Sequence, residues 1–231
     1  MNKQYLEEAR YRGFIVVALF IASLVTCVFF SKKILVFIVS LFPKTISLST
    51  LSPFEYINTL LMIAFFSAIV LNIPNIIYQL VAFISPTLTK KEKVLLKIVL
   101  PSSIVLFGVG VTFGVFFLNM SYKISLQLAT NIQNIWSVSK FINTTITILF
   151  FCGLLFQLPL VLTALIQLKI ITVKMLEKHR KFAILAIVCL VALLPPTDIL
   201  SLALLSIPMV LLYESSILIS KIINKQEVRI W

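Results

Sequence analysis

SPFEYINTLLMIAFFSAIVLNIPNIIYQLVAFISPTLTKKEK, Ser52 to Lys93, is the stretch on which the reading of this chain turns. It holds an apolar run from about Ile57 to Leu80, long enough at about 1.5 Å per helical residue to cross a hydrocarbon core of roughly 30 Å. A polar turn follows, and then a second apolar run from about Ile98 to Phe117. A turn between two membrane-length segments is held at the membrane surface. This one carries a single acid, Glu92, among Lys90, Lys91 and Lys93. A carboxylate fixed there can receive a basic partner.

The whole chain extends that pattern. Its 231 residues are 60% hydrophobic and 12% charged, with a mean hydropathy of +1.10, well beyond the roughly 45–50% apolar content of a soluble domain. The expected fold is an all-α integral membrane protein, a single domain over 1–231 with six spans at about 13–30, 57–80, 98–117, 141–168, 182–194 and 199–219. The first span lacks a small-x-small exit and reads as an uncleaved helix. Span five has about 13 apolar residues, or about 20 Å. Pro195 and Pro196 force a tight reversal into span six. Pro74, Pro101, Pro159 and Pro208 fall within or at the start of spans, so six kinked helices and a concave, glove-shaped bundle are expected. In the first outer loop, ILVFIVSLF (Ile34 to Phe42) is too short to span and reads as a separate helix at the outer interface. Tyr122 and Trp136 in the third loop read as interfacial aromatics.

Basic residues orient the bundle. The N-terminus (Lys3, Arg10, Arg12), the second loop (Lys90, Lys91, Lys93, Lys97), the fourth loop (Lys169, Lys174, Lys178, Arg180, Lys181) and the C-terminus (Lys221, Lys225, Arg229) hold most of the 20 cations. Lys32, Lys33, Lys44, Lys123 and Lys140 lie on the other side. Both termini are therefore expected on the cytoplasmic, matrix or stromal side. Topology and anionic lipid account for the net charge of +12 without nucleic acid.

No catalytic chemistry is visible, and no cofactor or metal is expected. The one histidine, His179, stands among Lys178, Arg180 and Lys181 and reads as solvated. Cys27, Cys152 and Cys189 lie in apolar segments without C-x-x-C spacing and read as small core residues. Gly108, Gly110 and Gly114 read as sites of close helix packing. There is no glycine-rich phosphate loop.

The polar residues have two readings each. Thr89 and Glu92 form a T-x-x-E capping box for span three, while Glu92 as a receiver would accept bidentate bonds from guanidinium groups. Glu7 and Glu8 are a solvated first turn, or, beside the Glu92 turn, part of one acidic face. Gln157 in span four either glues helices or lines a wet cavity. Asp198 reads as the N-cap of span six. Glu214 is an ionisable group in an apolar segment, close enough to the inner end to reach the interface.

With its segments SPFEY (Ser52 to Tyr56), IPNIIYQLVAFISPTLTKKE (Ile73 to Glu92), LFQLP (Leu155 to Pro159), PPTDILS (Pro195 to Ser201) and IPMVLLYE (Ile207 to Glu214), the chain resembles the TatC family, the six-span core of the twin-arginine protein translocase. The resemblance covers nearly the whole chain. It implies a core receptor that binds Arg-Arg signal peptides and supports transport of folded proteins driven by proton-motive force. On that resemblance Glu92, Glu8 with Arg10, and Phe83 with Pro86 match the signal-peptide site. Gln157 matches an intramembrane polar site where some members carry Glu, and Asp198 and Glu214 match family acids. Short fifth and sixth helices also fit the family, as do partners of the small single-span TatA/TatB type and other TatC copies. Tyr5 and Ala9 depart from the family element H-L-x-E-L-R, Val81 from a common tryptophan, and Pro195 from the threonine of T-P-x-D. The sixteen lysines against four arginines suggest an AT-rich coding genome, hence an organelle inner or thylakoid membrane, mitochondrial in preference, with a bacterial plasma membrane as the alternative.

Two other functions compete. A proton-conducting energy-coupling subunit, such as subunit a of ATP synthase, needs an arginine inside a span, and Arg10, Arg12, Arg180 and Arg229 all lie outside the apolar runs. A small-solute transporter predicts internal repeats or paired broken helices, and no repeat is visible.

Overall fold

The computed structural model describes residues 2–43, 47–84, 90–128, 135–167, 171–194 and 199–228. Along them run α1 (Asn2–Ser40), β1 (Ser47–Ser49), α2 (Pro53–Ile84), α3 (Lys90–Leu128), β2 (Ile135–Ser137), α4 (Val138–Leu155), α5 (Leu158–Gln167), α6 (Val173–Lys178), α7 (Arg180–Ala192) and α8 (Ile199–Val228). Five stretches of the described residues are long and apolar enough to cross a membrane: Arg10–Ser40, Pro53–Ile73, Pro101–Gln127, Val138–Ile166 and Ser201–Lys221. The expected fifth span is α7, whose 13 residues reach about 20 Å.

Several boundaries differ from the expected ones. The separate outer helix does not exist, because α1 continues unbroken to Ser40. Nothing between Phe30 and Leu41 breaks a helix. Ser31 and Ser40 donate to the carbonyls of Val28 (2.7 Å) and Phe37 (2.6 Å) within α1, and Lys32 and Lys33 keep their side chains exposed. The helix ends just before Pro43, which disfavours helical geometry in the residue ahead of it. Span four is two helices, interrupted at Phe156 and Gln157. Pro159 has no N–H to offer the preceding turn, and Gln157 N bonds Leu154 O at 3.0 Å in a tighter turn instead. Of the two spans expected to be short, the sixth is not, since α8 runs 30 residues to Val228.

The chain groups into two compact units, Met1–Leu100 with Leu118–Phe150, and Pro101–Phe117 with Phe151–Trp231. In the first, α1 packs antiparallel to α2. Cys27, Ala64 and Ala68 form its buried seam with Phe20 and Leu24 against it; small side chains four residues apart let two helices approach closely. Asn72 is buried there and donates to Ser23 Oγ at 2.6 Å and to its own helix at Ala68 O, 2.9 Å. At the far end of this unit β1 pairs in parallel with β2, Ser47 opposite Ile135 and Ser49 opposite Ser137. The α1–α2 and α3–α4 connections therefore share one end, as alternate connections of successive spans must. Tyr122 is buried rather than interfacial. Its ring packs with Phe42 (5.4 Å), Trp136 (5.2 Å) and Phe141 (5.3 Å), and its hydroxyl pairs with Thr145 Oγ1 at 3.0 Å. These offset and edge-to-face contacts are the favoured aromatic geometries.

In the second unit, the middle of α3 packs closely on the end of α4. A Cβ at Gly110 would stand 2.7 Å from Cys152 O and 2.8 Å from Gly153 Cα, and Phe107 covers Gly153. Gly108 faces open space, so it does not serve the packing role expected of it. Cys189 likewise departs from its expected core position. It is exposed, because α7 buries Ile187 and Val191 on another face.

The contrast between these glycines is testable by thermal unfolding of the detergent-solubilised protein. Gly110→Ala must push backbone against backbone and is expected to cost about 1–3 kcal/mol. Gly108→Ala should be neutral or slightly stabilising, since alanine is the better helix former by about 1 kcal/mol. Equal losses in the two variants would rule out the close approach of α3 and α4.

Candidate functional site

The inner end of α1 is fixed against α2 by a register that can be read from contacts. Phe20 meets Phe65 at 5.8 Å, Ser23 meets Asn72, and Arg12 donates from Nη1 to Gln79 Oε1 at 3.3 Å. From Ser23–Asn72 to Arg12–Gln79 the contacts move toward the N-terminus of α1 and the C-terminus of α2, as in an antiparallel pair. One turn beyond Arg12 toward the N-terminus of α1 lies Glu8, and one turn beyond Gln79 toward the C-terminus of α2 lies Phe83. Across five intervening residues from Ile84, α3 begins at Lys90 and carries Glu92 in its first turn. The side chains of Glu8, Phe83 and Glu92 lie outside the described residues, as do Pro86, Thr89 and Asp198 entirely. Arg10 is exposed. The polar stripe Asn72, Asn75 and Gln79 along α2, spaced as a helix face, is the sequence signal for this contact.

Gln157 is held in the second unit at the interruption between α4 and α5. It is 8% exposed, and Nε2 donates to Ser103 O at 3.0 Å. Its Oε1 is buried with no partner in the structure. The amide bridges two helices through its Nε2 donor, and its one oxygen is an acceptor still to be answered.

Glu214 is partly exposed and paired. Its Oε2 pairs with Arg180 Nη2 at 3.3 Å, where α7 begins. Its neighbours extend the contact. The hydroxyl of Tyr213 donates to Leu176 O at 2.9 Å, and Lys221 pairs with Glu177. One face of α8 thereby holds both α6 and the start of α7. The Lys221 ammonium beside Glu177 keeps that carboxyl below its usual range, with Arg180 adding to the effect. Both pairs are partly exposed, so solvent screens them and each adds little to stability. Neither Tyr213 nor the pair Glu177 and Lys221 was singled out from sequence, because their partners are 37 and 44 residues away and no spacing signals such contacts.

A further residue missed from sequence sits at the opposite end of the first unit. Glu55, in SPFEY, accepts from Leu51 N at 2.6 Å and from Ser139 N at 3.1 Å, and Ser137 Oγ donates to the same carboxylate. Ser139 is in the first turn of α4, whose N–H groups have no partner within the helix. Glu55 therefore caps α4 from the start of α2 and locks the two connections together beside β1 and β2.

Comparison with known proteins agrees with this architecture. The family model for Sec-independent protein translocase protein (TatC) matches residues 4–208. The chain is similar to the Sec-independent protein translocase protein TatCy of Bacillus subtilis, 32% identical over 94% of this chain and 87% of that protein. It is also similar to a tatC-like protein, ycf43, of Gracilaria tenuistipitata, 33% identical over 96% and 94%. A crystal structure of the twin-arginine translocase receptor TatC superposes with a TM-score of 0.81 at 30% identity, over 94% of this chain and 98% of that one.

Removing the Glu55 carboxylate should loosen the end it caps. Glu55→Ala is expected to lower the melting temperature because it leaves donors unanswered, while Glu55→Gln recovers part of the loss because the amide oxygen still accepts. Thermal unfolding with hydrogen exchange at Leu51 and Ser139 checks this. Unchanged exchange at both amides in Glu55→Ala would remove the capping role.

Proposed function

The chain belongs to the TatC family, and we propose that it is the core receptor subunit of a twin-arginine translocase, binding Arg-Arg signal peptides and supporting proton-motive-force-driven transport of folded proteins. The register of α1 against α2 carries this reading. Glu8 follows one turn beyond Arg12, Phe83 one turn beyond Gln79, and Glu92 comes in the first turn of α3, which supports a shared site for them. Glu92 then receives a guanidinium of the signal peptide, Glu8 a second one, Arg10 orders the acidic turn, and Phe83 offers an apolar wall to the peptide. An arginine–carboxylate pair at a partly desolvated surface contributes about 1.5–3 kcal/mol. Lysine, a point charge without the planar fork, cannot reproduce the bidentate geometry.

In this reading the chain is one six-span domain and performs no covalent chemistry; its work is recognition and assembly. Small single-span Tat components dock near Gln157, whose Oε1 answers a donor on the incoming helix, with Asp198 and Glu214 as further candidate contacts. Other TatC copies complete the receptor. The protein is multi-pass and membrane-embedded. The finer placement, an organelle inner or thylakoid membrane and a mitochondrial one in preference, rests on the lysine-rich, arginine-poor composition.

Photocrosslinkers at positions 93 and 9, next to the two acids, offered a radiolabelled precursor in membranes, test the site. Crosslinks are expected with an Arg-Arg signal peptide, should vanish with Lys-Lys, and should drop at least about tenfold with Glu92→Ala at the loss of roughly 1.5–3 kcal/mol. Crosslinking and export unaffected by Glu92→Ala would put recognition elsewhere.

A further inference from the structure

The short helix α6 and the start of α7 present a surface that the receptor function does not use. Lys174 and Lys178 stand four residues apart and Lys181 follows at the start of α7, all exposed. Residues four apart on a helix share a face. Beside them two apolar side chains also face out, Met175 at 52% and Phe182 at 71% exposure. The acids within reach are already engaged, Glu177 by Lys221 and Glu214 by Arg180, so the exposed charge is of one sign. The surface is also rigidly framed. Thr172 caps α6 by accepting from Met175 N at 3.3 Å, and Tyr213 holds Leu176 O from α8.

Three observations select the occupant. Cations interleaved with protruding apolar side chains fit a headgroup and acyl boundary, in which the apolar groups sink and the ammonium groups stay at the phosphates. The cations are lysines, which suit dispersed phosphodiesters; a carboxylate-bearing peptide would favour the bidentate fork of arginine. And α7, of 13 residues, falls short of a hydrocarbon core of roughly 30 Å, so headgroups must be drawn inward where it begins. We infer that α6 and the first turn of α7 form a binding surface for anionic phospholipid, with phosphates on Lys174, Lys178 and Lys181 and acyl chains against Met175 and Phe182. Lipid gathered there anchors the short helix at the inner leaflet.

The full-length protein, purified from mixed phosphatidylglycerol and phosphatidylcholine, is analysed by native mass spectrometry for retained lipid. The wild type should retain phosphatidylglycerol in preference. The triple variant Lys174→Gln, Lys178→Gln, Lys181→Gln should lose that preference by roughly tenfold or more, since each cation near an anionic surface contributes on the order of 1 kcal/mol. A charge-keeping triple to arginine should retain it, which separates charge loss from misfolding. The outer-side triple Lys32→Gln, Lys33→Gln, Lys140→Gln should also retain it. Wild-type selectivity in the inner glutamine triple overturns the inference. So does selectivity that stays intact while the same triple loses other Tat subunits on purification, which would assign the surface to an acidic protein partner.

Discussion

Water is absent from the hydrocarbon core, so a polar group carried into it must be answered by another group of the chain. The structure uses this constraint as its fastening. Asn72 bonds Ser23 between α1 and α2, Gln157 bonds Ser103 O between the fourth span and α3, and Tyr122 bonds Thr145 between α3 and α4. Apolar side chains cannot supply such specificity in lipid, where a leucine gains nothing by leaving the acyl chains for another leucine. Shape and a few hydrogen bonds must do it. Gly110 against Cys152 O and Ala64 with Ala68 beneath Cys27 show the shape half of the arrangement.

The helix ends are fastened differently, because water and headgroups are available there. At the end formed by β1, β2 and the aromatic cluster, a carboxylate gathers N–H groups that no helix can satisfy internally. Glu55 performs this for α4 and for its own approach segment. At the α6–α8 end, ion pairs and the Tyr213 hydroxyl take over. The segments SPFEY and IPMVLLYE, which carry the family resemblance, thus hold helix ends in place.

The legibility of these features follows their range. The apolar runs, the brevity of α7 and the break before Pro159 are local properties, and they can be read from a window of twenty residues. The continuation of α1 through Lys32 and Lys33 was not legible. Two lysines look like a loop in a hydropathy trace, yet both are good helix formers and nothing near them breaks the helix. The parallel pairing of Ser47–Ser49 with Ile135–Ser137 was also hidden, because three residues carry too little period to declare a strand. That Glu214 is partnered by Arg180, 34 residues away, was likewise hidden until the helices were packed.

By itself the sequence determined that this is a bundle of membrane helices, which side of the membrane its ends take, and which acids lie outside the apolar runs. Those outcomes depend on transfer of side chains between water and lipid, an energy each segment carries alone. Tertiary structure decided which polar groups meet: Gln157 with Ser103, Glu55 with Ser137 and Ser139, Tyr213 with Leu176. These partners are separated by tens of residues, and a hydrogen bond acts over about 3 Å. No periodicity in the chain announces a contact of that reach until the helices are packed.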